Sequence, residues 1–225
     1  MSDERLRELE RRWKETGSVA DEAAFLHEML RVDAITAPDL QLAALLDHDA
    51  SRAVLGASDL PPPQGSEWEQ ALAAWGPGVL IRAVVALARC VSLSEEDARR
   101  LSVVEDWCCA PAAFGWRRLE PCLTPSRSSV SLATHLVDEA VRAVASALGD
   151  RPALMVPQDP RNELVAVGDW GSWFKKIAEV AGAAWGTGWR GMIGAELLPW
   201  VLKRRDPVLA RCRRSQTSNG DLEEA

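Results

Sequence analysis

Residues 18–32 read SVADEAAFLHEMLRV. Ser18 stands where a helix N-cap stands, and Asp21 follows three positions later, as in a capping box. Val19, Ala23, Leu26 and Leu30 then recur three and four apart, the spacing of a single helix face. Nothing here alternates with the period of two that a half-buried strand requires. The stretch is an amphipathic helix, and its neighbours repeat the pattern. Upstream, Leu6, Leu9 and Trp13 fall three and four apart among charged residues, and Gly17 stops that helix. Downstream, TAPDLQLAALL opens at Thr36 with a proline in its first turn. DHDASRAVLG then gives a short helix from Asp47 to a stop at Gly56. Four short helices joined by tight turns predict stacked helical hairpins over residues 1–56.

The clearest linker is ASDLPPPQGS (57–66), because three consecutive prolines cannot continue a helix and favour an extended chain. Residues 67–214 form a larger second part. Trp68, Leu72 and Trp75 share a face, Gly76-Pro77 breaks the chain, and GVLIRAVVALARCV (78–91) reads as a largely buried helix. Ser94 caps EEDARRLSVVEDWCC (95–109), which ends at Pro111. After the loop PCLTPSRSS (121–129), Ser129 or Ser131 opens a long helix with Ala133, Val137, Ala140, Val144 and Leu148 on one stripe. GDRPALMVPQDP (149–160) is irregular, and its ALMV (153–156) is the sole short strand candidate. Trp173, Ile177, Val180 and Ala184 mark a further helix. Trp189, Met192, Ile193, Leu197 and Trp200 mark the last, with Pro199 as a kink. Residues 215–225, SQTSNGDLEEA, read as a frayed, disordered polar tail. The fold expected is all-α: about nine to eleven helices as antiparallel hairpins, in a bundle or short α-solenoid, with no significant sheet. The two parts should pack together, because the N-terminal helices are too short to stand alone. Of Trp68, Trp75, Trp107, Trp173, Trp189 and Trp200, most should be buried.

The chain has 225 residues, 47% hydrophobic and 26% charged, which is a globular composition with enough material for a real core. Its formal net charge of −7 disfavours a general nucleic-acid binder and suits a basic protein partner. No uninterrupted apolar run reaches the roughly 18 residues of a membrane span. The charged start MSDERLRELERRWKE lacks a signal-peptide core. The compartment expected is therefore the cytoplasm, with Cys90, Cys108, Cys109, Cys122 and Cys212 as reduced thiols.

Chemistry-bearing groups are sparse. VVEDWCCAP (103–111) sets Glu105 and Asp106 beside Cys108 and Cys109. Adjacent helical residues point about 100° apart, so the two thiols cannot easily share one ion. The reading is a helix end in which Trp107 and one cysteine pack inward, Glu105 and Asp106 lie on the solvated side, and Pro111 stops the helix. GTGWRG (186–191) matches a dinucleotide fingerprint in letters, yet a helix precedes it where a strand is required. Gly182, Gly186 and Gly194 with Ala178 instead suggest a small-residue stripe for close helix approach, or a tight turn at Gly186–Gly188. KRRDPVLARCRR (203–214) reads as the basic C-terminal end of a helical domain. Of three histidines, His27 lies beside Glu28, His48 between Asp47 and Asp49, and His135 three residues before Asp138. No residue pattern assembles a nucleophile, a metal site or a cofactor cradle, so catalytic, cofactor and metal residues are all expected to be none.

The markers ELERRW, TGSVADEAAFL and LQLAALLDHDASRAVLG within residues 6–56 resemble a group of uncharacterised helical proteins abundant in myxobacteria, and WEQALAAWGPGVLIRAVVALARCV with VVEDWCC is similar in outline. Some of that group are similar to α-helical immunity proteins of bacterial toxin systems. The resemblance implies a bacterial, non-catalytic protein-interaction protein, specifically an immunity-type neutraliser of a partner toxin. Glu4, Glu8, Glu15, Asp21, Glu22, Glu28, Asp47 and Asp49 are the candidate partner contacts. The rival reading is a small-molecule-binding or enzymatic helical domain centred on His135, Asp138 and the cysteines.

Overall fold

The computed structural model describes residues 2–57, 63–123, 131–148 and 169–203. Among these residues the regular elements are eleven α-helices and two 3₁₀ turns, with no strand. ALMV, Cys212, residues 204–214 and the tail lie outside the described residues, as do residues 58–62 of the Pro-rich linker.

The first four helices are α1 (Ser2–Thr16), α2 (Val19–Arg31), α3 (Ala37–Leu45) and α4 (Asp49–Val54). Local chemistry sets their ends. Gly17 has φ 61° and its N–H reaches back to the Trp13 carbonyl at 2.8 Å, which ends α1. The Ser18 side chain accepts from the Asp21 N–H, and Thr36 with Asp39 forms a reciprocal capping box. Three of these helices close with one device. Asp33, Asp47 and Gly56 take positive φ of 56°, 63° and 67° just past α2, α3 and α4. The N–H groups of Ala34, His48 and Ala57 then reach back to the carbonyls of Met29, Ala43 and Arg52. These are Schellman closures, and aspartate stands in two of them where glycine is usual. Asp47 therefore ends α3, and α4 begins after it, not at it as the sequence suggested.

The second part comprises α5 (Gly65–Ala73), α6 (Pro77–Arg89), α7 (Glu95–Cys109), α8 (Trp116–Leu119), α9 (Leu132–Ala147), α10 (Trp170–Trp185) and α11 (Trp189–Val201), with 3₁₀ turns at Pro111–Ala113 and Glu120–Cys122. Ten consecutive residues of α6, Val79 to Ala88, are buried. A helix apolar all round must be central, and α5, α7, α9, α10 and α11 all pack on it. The one charge in this buried run is Arg82, which donates to the Cys108 carbonyl at 2.8 Å and lies 4.4 Å from the Trp200 ring centre. Trp68, Trp107, Trp173 and Trp189 are buried, while Trp75 and Trp200 are half-buried.

The two parts share one core. The Trp68 indole N–H donates to the Leu45 carbonyl at 2.7 Å. α11 packs on α3, and Lys203 reaches Asp39 at 3.3 Å. Of the three stripe glycines, only Gly194 abuts another element, a Cβ there lying 3.5 Å from the Leu46 carbonyl. Gly186, at φ 62° and ψ −129°, caps α10 and supplies the tight turn. Pro199 lies inside α11.

One sequence expectation needs correction. Glu105 does not face solvent. It is 2% exposed and forms a forked ion pair with Arg89, Nε to Oε1 at 3.0 Å. Asp106 is half-buried and pairs with Arg118. Cys108 is buried and Cys109 half-buried, so one cysteine packs inward at this helix end.

Candidate functional site

Residues 1–56 hold twelve acidic and seven basic residues, so five of the seven net negative charges fall in the first quarter of the chain. Acids and bases balance in α1, and the excess lies beyond it, from α2 to α4. The eight candidate contacts divide by surroundings. Glu8 and Glu15 on α1 are both gripped by Arg11 at 2.6 Å, and the Arg11 bond holds the Glu8 carboxyl below its ordinary range. Asp21 accepts from the Thr16 and Ser18 hydroxyls, which lower its pKa, and pairs with Arg12 at 2.7 Å. Glu28 is buried at 2% exposure. Arg31 holds it at 2.6 Å, with Arg5 at 3.7 Å, and the Arg31 hydrogen bond depresses its pKa. Glu28 thus serves the α1–α2 junction from inside. Glu4, Asp47 and Asp49 are exposed, and among the described residues no basic side chain pairs with Asp47 or Asp49.

His48, absent from the candidate set, brings four of these acids to one end. Its Nε2 lies 3.0 Å from Glu22 Oε1. Its Nδ1 accepts from the Ser51 N–H at 3.3 Å, making an imidazole the N-cap of α4. The turn bearing Asp47 and Asp49 is thereby held against the first turn of α2, which bears Asp21 and Glu22. The sequence showed His48 between two aspartates. The tertiary contact had no local signal, since its partner lies 26 residues away.

The rival constellation is not brought together. Asp138 turns to Arg100, 2.5 Å from its Nη2, while His135 sits half-buried on α9. Cys90 is exposed, and its thiol donates to the Ala86 carbonyl at 3.3 Å. Partial burial, and then Glu196, raise its pKa; burial likewise raises that of Cys122. Thiols shifted upward are poor nucleophiles at neutral pH. Among the described residues no group of three or more His, Cys, Asp or Glu is placed to hold a metal ion.

What the sequence reading missed is a buried ionic network between α7 and α9. Arg100 donates Nε and Nη2 to the Cys122 carbonyl at 3.2 and 3.0 Å and pairs with Asp138. Asp97 accepts from the Ser94 and Thr134 hydroxyls at 2.8 and 3.1 Å. Asp97, Arg100 and Thr134 are all at most 6% exposed. The signal was present: Asp97, Arg100, Leu101, Val104, Glu105 and Cys108 follow helical spacing along one stripe, and all are buried. No protein-family model matches this chain, and no curated protein or solved structure is significantly similar to it. No helix is long and apolar enough to cross a membrane among the described residues.

Proposed function

We propose that this protein is a non-catalytic interaction protein of the immunity type, binding a basic protein partner through the acidic end formed by α2 and the α3–α4 turn. The observation that supports it is the His48 contact, which gathers Asp21, Glu22, Asp47 and Asp49 at one end with Asp47 and Asp49 exposed. Exposed carboxylates such as Asp47 and Asp49, which no basic side chain pairs among the described residues, attract a cationic surface, and such attraction governs association rate and specificity. Against a centre at His135 and Asp138 stands the pairing of Asp138 with Arg100.

The test is affinity capture from the native host, at low and high salt, using the wild-type chain and a double variant, Asp47→Gly with Asp49→Asn. Glycine keeps the left-handed turn at position 47, so the variant should fold, as checked by circular dichroism. The expected result is one basic partner, held at low salt, released at high salt and lost in the variant, because exposed attraction is screened over about 10 Å at 0.1 M. No protein partner at any salt, with a small molecule or metal co-purifying, overturns the reading.

A further inference from the structure

We propose that His48 is a proton-operated clasp that caps α4 only while its imidazole is neutral. Three elements meet at this residue. Its backbone N–H closes α3 on the Ala43 carbonyl. Its Nε2 reaches Glu22 on α2 at 3.0 Å, and its Nδ1 meets both the N–H and the Oγ of Ser51 on α4, at 3.3 and 2.9 Å. An N–H can only donate, so Nδ1 must carry a lone pair to accept from the Ser51 backbone. The proton of the neutral ring is then on Nε2, where it donates to the Glu22 carboxylate. The geometry selects one tautomer.

Protonation sets two effects against each other. The ion pair with Glu22 strengthens, and the charged residues flanking His48 in sequence are Asp47 and Asp49. Asp21, next to Glu22, is paired with Arg12 from α1, and Arg52 follows one turn later on α4. At the same time Nδ1 becomes a donor. It can turn to the Ser51 Oγ but no longer accepts from the Ser51 N–H. Ser51 is fully buried at 0% exposure, so no water replaces the lost acceptor unless the turn opens. α4 has only six residues, and a helix so short depends on its cap and its packing. Acidification therefore binds the α3–α4 turn more firmly to α2 while loosening the first turn of α4. Any consequence for partner binding rests on the proposed function; the effect on α4 does not.

Nuclear magnetic resonance on the full chain tests this, with His48→Asn assigning the ring signals among the three histidines. At pH 8 the ring nitrogen shifts should show Nδ1 bare and the proton on Nε2. As the ring titrates toward pH 5, the Ser51 amide should move with the same midpoint. Its exchange, corrected for intrinsic rate, should accelerate roughly fivefold, the worth of one N-cap. Asparagine is a good N-cap without a proton to gain, so in His48→Asn the Ser51 amide should stay constant over the same range. A proton on Nδ1 at pH 8, a ring that stays neutral down to pH 5, or a Ser51 amide indifferent to the ring's titration would each overturn the proposal.

Discussion

Arg100 sits 6% exposed between two carboxylates and a backbone carbonyl, on a stripe it shares with Asp97, Glu105 and the apolar Leu101, Val104 and Cys108. Removing it strands Asp97 and Asp138 without a counter-charge, and breaking a buried pair from one side costs about 3–5 kcal/mol. Arg100→Ala should lower the unfolding free energy by that amount in urea titration. Arg99→Ala, on a side chain 72% exposed beside it, should stay within about 0.5 kcal/mol. The contrast shows where reading residues one at a time fails. Glu105 looked solvated because it is charged and next to Asp106, yet its spacing from Leu101 and Val104 places it on the inner face. Periodicity carried more information than polarity, and Arg89, sixteen residues earlier, is what makes the burial tolerable.

At the level of helices, the sequence exposed starts better than stops. Ser18, Thr36, Ser94 and Ser131 were readable as caps because a short side chain that accepts from the third residue on is a local device. The aspartate closures at Asp33 and Asp47 were not, since aspartate also suits exposed loops and helix first turns. His48 was hidden for the same reason, an imidazole being an uncommon cap. The Gly-rich stretch between α10 and α11 had two readings, a turn and a close approach, and each falls to a different glycine. Gly186, at positive φ with ψ −129°, occupies a region nearly closed to other residues, so Gly186→Ala should cost about 1–3 kcal/mol. Gly194 is helical, and an added Cβ would meet the Leu46 carbonyl at an ordinary 3.5 Å. Gly194→Ala should therefore be neutral or stabilise by up to about 1 kcal/mol. Thermal melts of the two variants should move in opposite directions, or the second not at all.

For the molecule as a whole, all-α architecture was legible because nearly every segment announced itself by three-and-four spacing. The joining of the two halves was legible only as an expectation from helix length, since its contacts pair distant residues. Lys203 shows the kind of contact involved, reaching Asp39 on α3 at 3.3 Å, while within the second part the Arg190 guanidinium lies 4.9 Å from the Trp68 ring and donates to the Gly65 carbonyl. Together with the bond from Trp68 to Leu45, this stitches the start of the second half to both α3 and α11. The two parts meet through contacts of α3 with α5 and α11 and the Trp68–Leu45 bond, all of them between residues distant in sequence. Two polypeptides, residues 1–57 and 63–225, should thus reconstitute the helical protein when co-expressed and co-purify as a one-to-one complex. A flexible guest sequence inserted at the same place should cost only about 0.6 kcal/mol per doubling of loop length. Reconstitution of this kind would make the chain a split protein in one piece, divisible between Ala57 and Pro63 without loss of its shared core.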